Sequence, residues 1–145
     1  MTSASKSGHP RIIVGVDGSA SSIAALNWAA HQAELTGARL DAVAAWQWPS
    51  KHQWMRTPPD YDPSGDTQKS VDAIIDEVRS AHPSVPIQSK VLEGHPARVL
   101  VEESQGAELL VVGSRGHGEF PGMLLGSVSQ HCVTSARCAV MVLRE

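Results

Sequence analysis

Residues 11–19 have the sequence RIIVGVDGS, which indicates the first strand and the turn that follows it. Its β-branched run predicts a buried strand over 11–16, closed by the Asp-Gly pair at 17–18. An Asp-Gly pair can also mark a hairpin. The segment that follows, Ser19 to Thr36, is instead alanine-rich, starts with residues that cap helices and ends before Gly37. The first unit is therefore a strand followed by a helix.

The same alternation continues along the chain. Further strands are predicted over 40–46, 87–92, 108–112 and 139–143, and further helices over 67–81, 96–104 and 127–136. Crossovers of this length suit parallel pairing, so the sequence predicts an α/β fold, a doubly wound five-stranded parallel sheet with helices on both faces. The proline-rich segment 47–65 is expected to be irregular. Residues 1–10 are expected to be a flexible leader and 11–145 a single domain.

Composition narrows the classes of function. The net charge of the 145 residues is -3 and no block of like charges occurs, which argues against a nucleic-acid or anionic-membrane surface. No apolar run approaches the roughly 20 residues of a membrane span, and the N-terminus lacks the apolar region of a signal peptide, so we expect a cytoplasmic protein. The two cysteines, Cys132 and Cys138, form no disulfide or metal motif and are expected to be small buried residues.

Candidate functional residues lie directly after strands. Ligands of open parallel sheets bind beyond the carboxyl ends of the strands, where the strand order reverses. This rule selects Asp17 after the first strand, Val112, Gly113, Arg115 and Gly116 at the end of the fourth, and Gly126 with Ser127 at the start of the last helix. Together they predict a phosphate-binding loop from Gly113 to Ser127.

The chemistry of these residues suits a nucleotide. Gly113 and Gly116 permit close approach of backbone to a ribose or phosphate, because neither carries a Cβ. Gly126 and Ser127 present amides at a helix N-terminus, where the aligned peptide dipoles favour an anion, and the Ser127 hydroxyl adds a further donor. Arg115 offers a positive charge, or else faces solvent.

Each element also has an ordinary explanation. The two glycines can shape a turn, Ser127 can cap its helix and Asp17 can cap the first helix. Their joint placement on a βα sheet favours the functional explanation. The P-loop pattern GxxxxGK[ST] is absent from the sequence, and GxGxxG fails because Pro121 stands where the last glycine belongs. A Walker-type NTPase and a Rossmann dehydrogenase are therefore disfavoured.

These residues resemble the universal stress protein family, whose ATP-binding members carry G-x2-G-x9-G-[ST]. The pattern is complete here in Gly113, Gly116, Gly126 and Ser127. The similarity extends over nearly the whole chain from Arg11, including the strand-to-helix segment at 13–19, the segment at 93–97 and the closing run at 140–143.

The resemblance implies a strand order of 3-2-1-4-5 and an ATP site. By that similarity Asp17 and Gly113 would hold the ribose, Ala45 would lie beside adenine, and the amides of Gly116, Gly126, Ser127 and Val128 would hold the phosphates. A divalent ion, Mg or Mn, would enter through the phosphates rather than through a carboxylate cluster of the protein. The family also implies a homodimer formed by the last strand, 139–143, which is otherwise an open edge; the alternative is that the charged C-terminus and a covering loop protect that edge.

Three functions follow from these observations. The leading one is an ATP-dependent sensor or regulator of a stress response. The alternatives are a weak ATPase or a related transferase, and a nucleotide-free dimeric interaction module. His117 lies in the glycine loop, but the sequence shows no base or nucleophile at a spacing that would indicate a catalytic partner for it. No catalytic residue is therefore assigned, and His117 is expected to be a solvated loop histidine.

Two departures from the family pattern concern aromatic and proline residues. Phe120 and Pro121 stiffen the excursion between the second and third glycines of the motif. Trp46, Trp48 and Trp54 cluster near the irregular segment, where they either cover a ligand or, more commonly for such side chains, pack in a core or interface.

Overall fold

Strands and helices alternate strictly through the part of the chain that the computed structural model describes, residues 10–48, 60–116 and 125–144. The elements in order are β1 (Arg11–Gly15), α1 (Ala20–Thr36), β2 (Arg39–Trp46), α2 (Pro63–Ala81), β3 (Ile87–Glu93), α3 (Pro96–Glu103), β4 (Leu109–Gly113), α4 (Ser127–Ser135) and β5 (Ala139–Leu143). None of the helices within these ranges is long and apolar enough to cross a membrane.

The five strands form one sheet in the order β3-β2-β1-β4-β5, and every pairing is parallel. Both the doubly wound α/β fold and the strand order are thus confirmed. The pairing of β1 with β2 runs to Gly15 opposite Val43. The pairing of β1 with β4 stops earlier, at Val14 opposite Val111. The two central strands therefore separate beyond that point.

Side chains of β1 alternate between two apolar layers. Ile12 and Val14 point into the layer under α1 and α2, whereas Ile13 points into the layer under α3 and α4. This alternation follows from the two-residue repeat of a strand, and burial on both faces explains why the strand is continuously apolar. The helices therefore cover both faces, as predicted.

The inner face of α1 is made almost entirely of alanine. Ala25, Ala29, Ala30 and Ala33 are buried beside Leu26 in the layer over the central strands. Methyl groups leave the helix axis close to the sheet, because no longer side chain separates the two. The position of the N-terminus of α1 is thereby fixed relative to β1 and β4.

The start of α2 differs from the sequence prediction. The helix begins at Pro63 rather than at Thr67, because the Asp62 side chain accepts a hydrogen bond from the Gly65 N–H at 3.0 Å and Pro63 occupies the first turn. Proline suits that position, since it has no N–H to leave unpaired. Three residues of the segment expected to be irregular, 63–65, are thus helical.

A buried carboxylate ties α3 to the sheet at the end opposite the strands' carboxyl termini. Asp41 in β2 is 1% exposed and lies 3.4 Å from the Arg11 guanidinium and 3.7 Å from the Lys90 ammonium. Arg11 also donates to the carbonyl of Glu103 at the end of α3, at 3.1 Å. These bonds join three strands to α3, which forms one wall of the cleft described next.

Candidate functional site

A cleft opens at the carboxyl edge of the sheet, where β1 and β4 separate. The chain leaves β1 toward α1 on one face and leaves β4 toward α4 on the other, so the two loops diverge. This is the position at which open parallel sheets bind ligands. The lining residues come from β1, β2 and β4, from the loops that follow β1 and precede α4, and from the N-terminal halves of α1, α3 and α4: Gly15, Val16, Asp17, Ser22, Val43, Ala45, Pro96, Val99, Leu100, Val112, Gly113, Arg115, Gly116, Gly126, Val128 and Ser129.

Asp17 is held rigidly at the mouth of the cleft by the β1–α1 loop. Its Oδ1 accepts hydrogen bonds from the Ser19 N–H at 2.9 Å and the Ser19 hydroxyl at 2.5 Å. Ser19 in turn caps α1, where its hydroxyl oxygen accepts from the Ser22 N–H at 3.2 Å. Gly18 completes the turn with a φ of 84°, which glycine adopts without strain. Ser19 is therefore the cap of α1, and Asp17, two residues earlier in the chain, orients that cap.

Gly116 lies against the second oxygen of the same carboxylate. A Cβ built on Gly116 would stand 2.8 Å from Asp17 Oδ2. The loop after β4 thus comes close to Asp17 across the cleft, and a side chain at position 116 would have to displace the carboxylate. The two residues that the sequence places on separate strands form one corner of the site.

Gly113 lies against the first turn of α1 as well as lining the cleft. A Cβ at this position would overlap the Ser21 hydroxyl and stand 2.8 Å from the Ser21 main-chain carbon and oxygen. Gly113 therefore makes room for the first turn of α1, although it also lines the cleft. The packing of α1 needs this space, and the approach of a ligand to Gly113 stays a prediction.

The first turn of α4 forms the opposite end of the cleft. Its N-cap is Gly126, so the helix begins with no side-chain cap, in contrast to α1, α2 and α3. First-turn N–H groups have no partner within their own helix, and the peptide dipoles favour an anion there. Ser127 is the first helical residue rather than the cap, which removes the capping explanation for it. The Gly126 N–H itself donates to the Ser114 carbonyl at 2.6 Å.

The inner wall of the cleft is apolar. Val43 and Ala45 of β2 face Val99 and Leu100 of α3 in the apolar layer under α3 and α4. Gly15 keeps this wall open, because a Cβ there would stand 2.8 Å from a methyl group of Leu100. A flat apolar ring could pack in this part of the cleft, while its polar substituents reached the mouth.

Most of the residues selected from the sequence meet at this cleft. Ser127 is exposed at the start of α4 and is not among the lining residues. The other predicted site residues all line the cleft: Asp17, Ala45, Val112, Gly113, Arg115, Gly116, Gly126 and Val128. Arg115 is half-buried and, with Asp17, supplies the formal charge among the described lining residues. His117, Phe120, Pro121 and Trp54 lie outside the described residues.

The apolar wall is the part that the sequence argument missed. Val43 could have been found from Ala45, because residues two apart in a strand face the same way. Val99, Leu100 and Ser129 carry no such signal, since a helical pattern alone does not tell which side of α3 or α4 meets a ligand. Trp46 and Trp48 pack edge to face with ring centroids 5.1 Å apart, and neither is among the described lining residues.

The described ranges contain no group of three or more histidine, cysteine, aspartate or glutamate side chains placed to hold a metal ion.

Comparison with known proteins relates the whole chain to one family. The model of the universal stress protein family matches residues 9–144. The universal stress protein Rv2623 of Mycobacterium tuberculosis is 37% identical, over 94% of this chain and 47% of that protein. The chain spans about half the length of the curated relatives it matches.

Solved structures show the same fold. The universal stress protein UspA from Lactobacillus plantarum has a TM-score of 0.77 at 18% identity, over 94% of this chain and 98% of that one. A universal stress protein in complex with cAMP has a TM-score of 0.71 at 27% identity, over 94% of this chain and 97% of that one.

Proposed function

Because the chain belongs to the universal stress protein family, we propose that it binds ATP in the cleft between β1 and β4 and acts as a nucleotide-dependent sensor or regulator in a stress response. The observation that carries the proposal is the arrangement of three different surfaces in one cleft. An apolar wall, a fixed carboxylate and an uncapped helix start follow one another along it. These match, in order, a base, a sugar and a phosphate chain.

The nucleoside half of the ligand is assigned to β1, β2 and α3. Adenine packs between Ala45 and Leu100, where its faces remove apolar side chains from water. The Asp17 carboxylate accepts hydrogen bonds from ribose hydroxyls, because carboxylates are strong acceptors and this one is already oriented by Ser19. The similarity to a family member in complex with cAMP supports an adenine ligand.

The phosphate half is assigned to the glycine loop and α4. The amides of Gly116, Ser127 and Val128 are the proposed donors, with Arg115 supplying a positive charge. Gly126 contributes mainly through its lack of a side chain, since its N–H is bonded to Ser114 in this structure. Mg or Mn would accompany the phosphates.

Binding is favoured over catalysis by the chemistry of the described lining residues. Asp17 is the carboxylate among them, and its Oδ1 is occupied by two bonds from Ser19. A general base for hydrolysis must be able to reach an attacking water at the γ-phosphate. Slow hydrolysis and a nucleotide-free interaction module are the two alternatives to be tested against ATP binding.

Mass spectrometry of gently purified protein distinguishes these possibilities. Co-purified ATP supports the sensor, ADP alone supports turnover, and absence of nucleotide supports the interaction module. In a thermal melt, millimolar ATP must raise the midpoint if it binds the native state, with cAMP as a second ligand and GTP as the control for the base. A midpoint unchanged by millimolar ATP would contradict the proposal.

We further propose that the protein is a cytoplasmic homodimer joined through β5. This strand is the open edge of the sheet beside β4, and its outward N–H and C=O groups are available for pairing. Met141 on β5 is 36% exposed. Pairing of two β5 strands across a two-fold axis would cover both the backbone edge and this side chain.

A further inference from the structure

Ser129 is a buried polar residue that none of the assignments above uses. It lies in the first turn of α4, lines the cleft and is 2% exposed. A serine hydroxyl in such a position must find hydrogen-bond partners, because an unpaired buried hydroxyl is costly. The hydrogen-bond partners of the Ser129 hydroxyl indicate its role.

The hydroxyl of Ser129 connects the two ends of the glycine loop. Its oxygen lies 3.0 Å from the carbonyl of Ser114, fifteen positions earlier in the chain, and 3.0 Å from the carbonyl of Gly126. One hydroxyl proton serves both acceptors. The loop leaves the sheet at Ser114 and returns at Gly126, so this contact sets the distance between its two ends.

Ser114 is itself firmly placed. It is buried, and its N–H donates to the carbonyl of Leu143 in β5 at 2.9 Å. Its carbonyl accepts from the Gly126 N–H at 2.6 Å as well as from Ser129. The sheet, the glycine loop and the first turn of α4 are thus joined through the main-chain N–H and C=O of Ser114.

Removing the Ser129 hydroxyl would leave neither carbonyl without a partner. Ser114 would keep its bond from the Gly126 N–H, and the Gly126 carbonyl would keep its bond from the Gln130 N–H at 3.0 Å. The fold is therefore expected to tolerate the change. What is lost is the link that orients the first turn of α4 toward the residues after β4.

We propose that Ser129 is a positioning residue for the phosphate half of the site: its hydroxyl holds the α4 amides at the correct separation from Gly116 and Arg115. This inference rests on the proposed nucleotide function. It predicts an effect confined to ligands that carry phosphate, because Asp17, Ala45 and Leu100 are not contacted by this hydroxyl.

The test compares ATP with adenosine in wild type and in Ser129→Ala. We expect roughly 3- to 10-fold weaker ATP binding, the loss of about one neutral hydrogen bond, with adenosine binding unchanged and the unliganded melting midpoint close to wild type. Ser135→Ala, an exposed serine at the far end of the same helix, is the matched control and should bind both ligands as wild type does. Hydrogen exchange of the Gly126 amide should quicken in Ser129→Ala only.

Two outcomes would overturn the inference: equal ATP affinity in Ser129→Ala and wild type, or an equal loss of ATP and adenosine affinity, which would indicate a purely structural role. These results differ from failure of the proposed function itself. In that case wild type would bind neither ATP nor adenosine, and the variants would not be needed to show it.

Discussion

Gly113 and Gly116 stand three residues apart in one loop, but a side chain added to each would meet different atoms. At Gly113 it would meet the backbone of Ser21, which cannot move without displacing the first turn of α1. At Gly116 it would meet the carboxylate of Asp17, which is the end of a side chain. The first glycine is thus needed for packing and the second for the site.

Alanine substitutions should separate these two needs. We expect Gly113→Ala to destabilise the unliganded protein by about 1–3 kcal/mol through overpacking. We expect Gly116→Ala to change stability little but to weaken ATP binding, because it displaces the Asp17 carboxylate. Urea unfolding and ATP titration of both variants measure the two effects. The reverse result, a stable Gly113→Ala and an unfolded Gly116→Ala, would contradict this division.

The sequence predicts the members of the site better than their reasons for being there. β-Branched runs predict where strands end, so Asp17, Gly113 and Gly116 can be selected without a structure. That Ser21 occupies the space beside Gly113 depends on how closely α1 approaches β4, which no local pattern contains. The same holds for Leu100, which meets Gly15 across the cleft only because α3 packs on that face.

Among the helices, α4 combines an uncapped start with a buried thiol. Cys132 is fully buried, as expected from the sequence, in the layer between α4 and the sheet, whereas Cys138, also expected to be buried, is partly exposed. Burial, and secondarily the nearby Cys138, raises the pKa of Cys132 from 9.0 to about 11. The folded protein therefore holds this proton at pH values where the unfolded chain has lost it.

Stability should consequently fall as the pH rises from 9.0 to about 11. In that window the unfolded state binds fewer protons than the native state, which lowers the free energy of unfolding; below it the full contribution is present. Urea unfolding of wild type and Cys132→Ala on both sides of the window measures the effect. The cavity left by Cys132→Ala lowers the free energy of unfolding by the same amount at every pH. The expected difference is therefore a smaller fall in the variant's free energy of unfolding across the window. Parallel pH curves for the two proteins would exclude a role for this thiol.

Element boundaries follow from the sequence where a single residue type decides them. Gly37 ends α1 with a φ of 77°, as its position predicts. The apolar repeat predicts a start of α2 four residues late, because the repeat begins only after the first turn of the helix. Asp62 and Pro63 are the signals that would have corrected it, an N-cap followed by proline at the first helical position.

For the whole molecule, the open edge at β5 is the feature that bears on assembly. We expect wild type to be a dimer in light scattering and Met141→Glu to be a monomer, because a charge on the strand opposes pairing of two copies. Leu35→Glu removes a more exposed apolar side chain, 69% exposed on α1, and should leave the dimer intact. A dimer that survives Met141→Glu but not Leu35→Glu would place the interface on α1 instead.

The alanine face of α1 has a consequence for how sequence change can reach the cleft. None of Ala25, Ala29 or Ala33 is among the lining residues, yet they determine how near the helix lies to the sheet. A larger side chain at any of them would lift α1 and carry with it the turn that holds Asp17. A larger residue on this buried face is therefore expected to weaken the proposed nucleotide site as well as the fold, without changing any residue that lines the cleft.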